Sequence, residues 1–169
     1  ALQQQIALMG EQISGSRAEC LQTSREELIA QHEKFRQQLK NNEPYIFSQT
    51  INGSGASLTA SAEPLNNLGP LVLNNLQLNI SHKGFYLLCR TIVKPFKVSA
   101  GGAVSVLIED TTGDVERLAL YNYAPHINAC ADLSHLIPLH SLLVIKEPLF
   151  KFAADGGVCI RVNSPSDIV

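Results

Sequence analysis

VSVLIEDTTGDVERLALYN, residues 104–122, is the stretch that decides the fold class. It contains two runs rich in aliphatic and β-branched residues, Val104–Ile108 and Val115–Asn122, on either side of a polar segment that includes Gly113. Two such runs around a glycine-containing turn predict a β-hairpin. In the second run leucines alternate with more polar residues, so one side of the strand is expected to face a core.

Further strand-like runs lie on both sides of this hairpin. Phe85–Lys94 precedes it, and Ser141–Ile145 and Val158–Val162 follow a stretch between Pro125 and Pro138 with helical spacing. Three strands, a short helix and two strands form the order of a five-stranded open barrel of the oligonucleotide/oligosaccharide-binding (OB) kind. The sequence therefore predicts a mainly β protein with N-terminal helices and an OB-like barrel over residues 71–169. A β-sandwich is the alternative, with Leu71–Ile80 supplying additional strands.

The residues before the barrel divide into a helical segment and a linker. Residues 1–42 have apolar residues at helical spacing, and two overlapping capping boxes, at Thr23 and at Ser24, predict a helix that starts at one of them and ends near Lys40. Residues 43–70, rich in Gly, Ser, Ala and Asn, are predicted to be a flexible linker. Two apolar helix faces are candidate contacts for a partner or a second copy, with core packing as the alternative reading; they comprise Ile6, Met9 and Ile13, and Leu28, Phe35 and Leu39.

Composition excludes several classes of protein. The net charge is −2 and 17% of residues are charged, so no global field attracts nucleic acid or anionic lipid. The sequence contains no apolar run long enough to span a membrane and no signal peptide, and its four cysteines form no C-x-x-C pair. We therefore expect an intracellular protein of the cytoplasm or nucleus, with free thiols and no membrane contact.

Candidate catalytic and metal-binding residues do not assemble into a recognisable motif. The spacing of His126, His135 and His140 is unlike that of a zinc site, so no metal is expected. Glu109 and Asp110 lie in a segment that lacks the calcium-loop ligand series, and we expect a solvated turn there. Because no nucleophile, nucleotide-binding or dinucleotide-binding pattern is present, we predict no catalytic residue and no cofactor.

Basic and aromatic residues on the predicted strands favour single-stranded nucleic acid as one candidate ligand. Proteins of this fold bind single strands with aromatic and basic side chains on the barrel face. The charge balance weakens this reading, because residues 71–169 contain eight basic and eight acidic residues. In the alternative, the aromatic residues fill the core and the charges are solvated. The candidate residues are Arg90, Arg117, Tyr121, Tyr123 and Arg161.

Three segments carry a resemblance to a known family: IEDTTGDVERLALYN at 108–122, VIKEPLFK at 144–151 and IRVNSPSDIV at 160–169. The region they span, residues 85–169, resembles the N-terminal region of fungal tetratricopeptide-repeat (TPR) and SET-domain proteins. In that family this region precedes helical repeats and a lysine methyltransferase domain. The catalytic signatures of SET domains, an Asn-His-Ser-Cys run and a Gly-Glu-Glu-Leu-type run, have no counterpart in this sequence.

The resemblance and the residues together predict a non-catalytic binding or scaffold module, the N-terminal part of a larger TPR/SET-type protein. One alternative is a single-stranded nucleic-acid-binding OB domain. The other is part of a protein-lysine methyltransferase whose catalytic domain lies outside this chain. The partner expected first is another protein or other domains of the same protein; nucleic acid and self-association through the N-terminal helix are the other candidates.

Overall fold

The computed structural model describes residues 15–20, 23–41, 60–97, 102–127, 133–153 and 155–169. Within these residues it has one α-helix, α1 (Arg25–Lys40), four short 3₁₀ turns and nine strands, which confirms the mainly β class. The strands are β1 (Gly69–Leu71), β2 (Ile80–Ser81), β3 (Phe85–Thr91), β4 (Phe96–Lys97), β5 (Val104–Asp110), β6 (Val115–Leu120), β7 (Leu142–Lys146), β8 (Leu149–Phe152) and β9 (Val158–Val162).

Helix α1 begins at the predicted capping box. The Ser24 hydroxyl accepts a hydrogen bond from the Glu27 N–H at 3.2 Å, which satisfies one of the free donors of the first turn. Farther along, His32 is buried, its Nε2 bonds to the Lys94 carbonyl at 2.8 Å, and its ring lies 4.6 Å from that of Phe96. Burial lowers the pKa of His32. These contacts fix α1 against β4 and the connection that precedes it.

All nine described strands belong to one curled sheet. The order β1-β3-β5-β6-β9-β8-β2 forms its main path, while β4 pairs with β5 and β7 pairs with β3. The sheet is mostly antiparallel, but β6 runs parallel to β9 and β1 runs parallel to β3. The result is an open half-barrel, which fits the predicted β-barrel class.

The number of strands differs from the five predicted. The short strands β1, β2 and β4 were not predicted, because a run of two or three residues has no periodicity to detect. β8 was not predicted because Pro148 interrupts the run of apolar residues that begins in β7. At this break Glu147 has a positive φ of 46°, and its N–H donates to the Phe85 carbonyl at 2.8 Å. A sandwich of two sheets, the alternative, does not describe this single sheet.

The sequence also predicts a short helix between Pro125 and Pro138 and a linker over residues 43–70. The predicted helix between Pro125 and Pro138 is represented in the described residues by a helical turn, in which the Ile137 N–H donates to the Leu133 carbonyl at 3.1 Å. Residues 128–132 of that stretch, and residues 43–59 of the predicted linker, lie outside the described residues. Near the end of the linker, the Ser61 N–H donates to Asp167 in the C-terminal 3₁₀ turn at 2.8 Å, and Lys146 of β7 donates to the Ser61 carbonyl at 3.3 Å. The domain boundaries stay a prediction.

The core is aliphatic and contains one buried ion pair at its edge. Inward-facing side chains of β3, β5, β6 and β9 form a single cluster with those that follow β1. Strand alternation places Glu116 on the same side of β6 as Leu118, and there its carboxylate accepts a 2.9 Å hydrogen bond from Nε of Arg17. Arg17 also donates to the Asn74 side chain and the Val115 carbonyl, both at 2.8 Å. The segment around Arg17 is thereby fixed to the start of β6 and to the turn that follows β1.

Replacing either partner of this ion pair should destabilise the fold. Both side chains are less than a tenth exposed, so Arg17→Met or Glu116→Leu alone leaves an uncompensated buried charge, at a cost of about 3–5 kcal/mol. The double variant removes both charges and should lose much less than the sum of the singles. Urea unfolding of all three variants measures this, with Arg36→Met, from the surface pair with Glu33, as a control that changes stability by less than about 1 kcal/mol. Additive losses would contradict the coupling.

Candidate functional site

The outer side of β6 and β9 brings together three of the predicted nucleic-acid-binding residues. Arg117 and Tyr121 project from β6 or its end on the side away from the core, and Arg161 projects from β9 on the same side. The register places Ala119, midway between Arg117 and Tyr121, opposite Arg161. We call Arg117, Tyr121 and Arg161 the β6–β9 face.

Arg161 and Tyr121 form a cation–π contact on this face. The guanidinium carbon of Arg161 lies 4.1 Å from the ring centroid of Tyr121, and its Nε donates to the Asn163 side chain at 2.7 Å. Burial raises the pKa of the Tyr121 hydroxyl. The contact fixes a cation and an aromatic ring side by side on the outside of the sheet, the two groups that single-strand binders combine.

Arg117 is held by the turn between β8 and β9. Its Nη1 donates to the Asp155 carboxylate at 2.6 Å, Nη2 donates to the same group at 3.2 Å, and Nε donates to the Val158 carbonyl at 3.1 Å. Burial works to raise the pKa of Asp155, but the bonds from Arg117 and from the Gly157 N–H lower it below its usual value. A Cβ atom on Gly157 would lie 2.0 Å from Nη2, so glycine is needed there for Arg117 to adopt this position.

A cleft of about 410 Å³ lies beside Arg117, between the segment around Arg17, the start of α1, β6 and the β8–β9 turn. Its polar walls comprise both ion pairs, Arg17 with Glu116 and Arg117 with Asp155. Burial raises the pKa of the Cys20 thiol at its edge, and Glu116 and Glu19 add to this effect. The cleft therefore offers a protonated thiol and paired charges, which suit binding better than proton transfer or nucleophilic attack.

The remaining predicted nucleic-acid-binding residues lie elsewhere. Arg90, on β3, pairs with Glu109, which also pairs with Arg25 of α1. Tyr123 is half-buried and packs against the core. The structure thus divides the predicted set into three residues on one face and two outside it, and their role in binding stays a prediction.

The predicted helix faces are only partly described. Leu28 is buried in the core cluster, while Phe35 and Leu39 are half-buried on α1. Ile6, Met9 and Ile13 lie outside the described residues. For Leu28 the contact is with this chain's own core, and the partner role of the other residues stays a prediction.

The acidic hairpin turn differs from the solvated turn that the sequence predicted. Asp110 is buried and accepts hydrogen bonds from the Thr112 and Asp114 N–H groups and, at 2.8 Å, from the Leu73 N–H. Glu109 is buried as well, and hydrogen bonds from Arg25 and Arg90 lower its pKa. The carboxylates hold the hairpin to its neighbours, because Oδ2 of Asp110 and both oxygens of Glu109 accept hydrogen bonds from residues outside the turn.

The described residues form neither a metal site nor a thiol of low pKa. No group of three or more His, Cys, Asp or Glu side chains in this part of the chain is arranged to hold a metal ion. Burial raises the pKa of Cys89 to about 12 and that of Cys159 to about 11, so both thiols stay protonated at neutral pH. None of the helices that the structure describes is long and apolar enough to cross a membrane.

Sequence reasoning missed Arg17, Glu116 and Asp155. Glu116 had a detectable signal, since the alternation of β6 that turns Leu118 and Leu120 inward also turns Glu116 inward. A carboxylate at an inward position requires a nearby cation, so the sequence predicts a cationic partner for Glu116 without identifying it. Arg17 had no comparable signal, because its partner lies 99 residues away.

Comparison with known proteins gives one partial match. No protein-family model matches the sequence. A Gibberella zeae protein named "Methyltransferase" is 27% identical over 104 residues, which cover 62% of this chain and 14% of the Gibberella protein. The chain is therefore distantly related to a small part of a fungal methyltransferase, and it spans far less than that relative's length.

Gly157→Ala should detach Arg117 from Asp155 at little cost in stability. The atom that the new methyl group meets is the end of a flexible side chain, so we expect a loss below about 1 kcal/mol, typical of an exposed pair. The pKa of Asp155 should rise towards its usual value, as followed by carboxyl ¹³C shifts during a pH titration. Gly113→Ala is the matched control, because position 113 has a φ of +88° and nothing within 4 Å. It should cost about 1 kcal/mol through backbone strain and leave Asp155 unchanged; an unmoved Asp155 in Gly157→Ala would contradict the assignment.

Proposed function

We propose that this chain is a non-catalytic binding and scaffold module, the N-terminal part of a larger protein of the TPR/SET methyltransferase type. The methyl-transfer chemistry of such a protein would reside in a domain outside this chain. What this chain contributes is a rigid barrel with surfaces for other domains or proteins.

The observation that carries the proposal is the use of ionisable side chains as links between segments. Of the six ion pairs among the described residues, five join different segments and one lies within α1. Glu109 connects α1 to β3 and β5, and Glu147 connects the β7–β8 break to Lys83. A carboxylate held by two donors is a poor base because its pKa is low, as it is for Glu109. Charges arranged in this way support positioning rather than chemistry.

The strand order supports an OB-type barrel as the scaffold. If β7 and β8 are taken as one strand bent at Glu147–Pro148, its first half pairs with β3 and its second half with β9. The five long strands then follow each other as β3-β5-β6-β9-β8, with β6 parallel to β9 and the bent strand returning to β3. A helical turn lies between the third and fourth of these strands, as the partly open OB barrel requires. The short strands β1, β2 and β4 are additions to this plan.

The relationship to a methyltransferase supports the larger context. The matched part of the Gibberella protein is 14% of its length, which leaves room there for other domains. The TPR and SET assignment rests on the resemblance of residues 85–169 and belongs to the proposal.

Titration with S-adenosylmethionine, the donor that SET enzymes use, tests the non-catalytic assignment. Isothermal calorimetry on the full chain should give no saturable heat, because the cleft beside Arg117 presents paired charges rather than free donors and acceptors. A longer protein with a SET domain serves as the positive control. Saturable, stoichiometric binding to this chain would contradict the proposal.

Single-stranded nucleic-acid binding is the second candidate, and the Tyr121–Arg161 contact favours it. In OB barrels the outer side of the second and third strands and the loop between the fourth and fifth strands contact the oligonucleotide. In the proposed correspondence these are β5, β6 and the β8–β9 turn that holds Arg117. The β6–β9 face therefore lies where this class of barrel binds its ligand.

Fluorescence anisotropy with a labelled oligothymidylate at two salt concentrations tests this candidate. If the face binds, affinity should fall as salt rises, and Tyr121→Ala should weaken binding by about 5- to 100-fold, the effect of one stacked base. Arg161→Lys, which keeps the charge and loses the planar group, should lie between wild type and Arg161→Ala. Lys83→Ala removes an exposed cation outside this face and is the control. If Lys83→Ala and Arg161→Ala lowered the affinity equally, binding would be nonspecific electrostatic attraction, and the β6–β9 face would be rejected as the site.

A further inference from the structure

The outer side of β3 and β7 has a row of exposed apolar side chains. β3 alternates between buried Leu87 and Cys89 and outward-facing Tyr86, Leu88 and Arg90. The outward residues of β7 lie directly opposite them. Of this outer side, Leu142 is 73% exposed and Leu88 is 38% exposed. Contiguous exposed aliphatic side chains on a sheet commonly mark an interaction surface.

The register shows that these residues are neighbours. Leu88 pairs with Val144, and Val144 in turn pairs with Val169 through N–H to carbonyl bonds of 2.8 and 3.0 Å in the two directions. Residues directly opposite in an antiparallel pair point to the same side of the sheet. Leu88 and Val144 therefore lie side by side on the outer side of the sheet, and Leu142 lies next to them, opposite Arg90. We call Leu88, Leu142 and Val144 the β3–β7 face.

A cation lies at each end of this face. At one end the side chain of Arg90 is 53% exposed, whereas its partner Glu109 is 9% exposed and lies beneath it. At the other end Lys146, opposite Tyr86, donates to the Ser61 carbonyl at 3.3 Å, and the nearby Asp167 carboxylate is bound to the Ser61 N–H. Tyr86 and Arg90 are four residues apart on β3, so the two cations are separated by roughly 13 Å along the strand.

The edge of β7 is already occupied next to this face. Ile168 bridges to Ile145, and Val169 bonds to Val144, so the chain's own terminal residues pair along that edge. A partner that added a strand at this point would have to displace them. A partner that packs on the outward side chains would not, and the element that buries its apolar stripe on a sheet face is an amphipathic helix.

We propose that the β3–β7 face binds an amphipathic helix of a partner protein whose apolar stripe is flanked by two carboxylates about nine residues apart. At a rise of about 1.5 Å per residue, nine residues span the distance between Arg90 and Lys146. The apolar stripe of the helix covers Leu88, Val144 and Leu142, and its carboxylates accept hydrogen bonds from the two cations. This inference rests on the proposed binding function and specifies its surface and partner chemistry.

Two synthetic helical peptides of about 18 residues test the proposal on the full chain. Both contain leucines at i, i+4 and i+7; one has glutamates at the flanking positions and the other has lysines. The glutamate peptide should bind the wild-type protein at least about tenfold more tightly than the lysine peptide, as measured by fluorescence anisotropy, because the flanks reverse from attraction to repulsion. Methyl NMR signals of Leu88 and Val144 should shift on its addition.

Leu142→Asp is the decisive variant, with Ile80→Asp as the matched control. Both positions are highly exposed, so neither change removes a core side chain, and Ile80 lies outside the β3–β7 face. Leu142→Asp should lower the affinity for the glutamate peptide at least about tenfold, since the change removes apolar burial and adds a negative charge that repels the peptide's carboxylates. The Ile80→Asp variant should bind the glutamate peptide with the affinity of the wild-type protein.

Three results would overturn the proposal: no binding of the glutamate peptide, equal binding of both peptides, or equal effects of the two variants. Light scattering over a concentration series tests whether a second copy of the chain binds this face instead. Self-association of the wild-type protein that is lost in Leu142→Asp would identify that second copy and reject the helix. These outcomes are separate from the test of the proposed function. Saturable binding of S-adenosylmethionine would overturn the non-catalytic assignment and leave the peptide result intact.

Discussion

The buried ion pair between Arg17 and Glu116 is the constraint that attaches residues 15–20 to the sheet. β6 turns Glu116 inward because its neighbours Leu118 and Leu120 must face the core, so the strand cannot avoid placing a carboxylate there. Removing that carboxylate from water is tolerable only with a cation and further donors around it. Arg17 meets this requirement, and the segment that contains it is bridged to Gln77 as a consequence. The position of the N-terminal segment, and hence one wall of the cleft, follows from a single glutamate.

At two other places the charges are layered, with the carboxylate below and the cations above. Glu109 lies beneath Arg25 and Arg90, and Glu147, whose side chain is 7% exposed, lies beneath Lys83. Burial acts to raise the pKa of Glu147, but bonds from the Gly84 N–H and from Lys83 bring it below its usual value. Eight acidic and eight basic residues make residues 71–169 neutral in total. Because the two signs lie at different depths, this neutral total understates how cationic these parts of the surface are to an approaching partner.

The sequence carried enough information for the elements with clear periodicity. The β5–β6 hairpin, β9 and the start of α1 at Ser24 were all predictable, because alternation and side-chain capping act over a few residues. The bent β7–β8 strand was not, since the positive φ of Glu147 depends on a bond to Phe85.

For the candidate site, residue type and the alternation of side chains along a strand were enough to place Arg117, Tyr121 and Arg161 on one side of the sheet. The same reasoning could not separate them from Arg90 and Tyr123, whose surroundings are set by Glu109 and by the core. Contacts between distant segments decide such cases, and a single sequence does not display them.

The parallel pairing of β6 with β9 has a consequence for how the molecule folds. Hairpins such as β5–β6 close short loops, but β9 joins β6 only after the chain has passed through β7 and β8, so its register cannot form early. On a ribosome, β3, β5 and β6 would be exposed with an unpaired edge at β6 until Val158–Val162 emerges. Leu118 and Leu120 lie along that edge, which makes the interval before β9 arrives the period in which this protein is most exposed to misassociation.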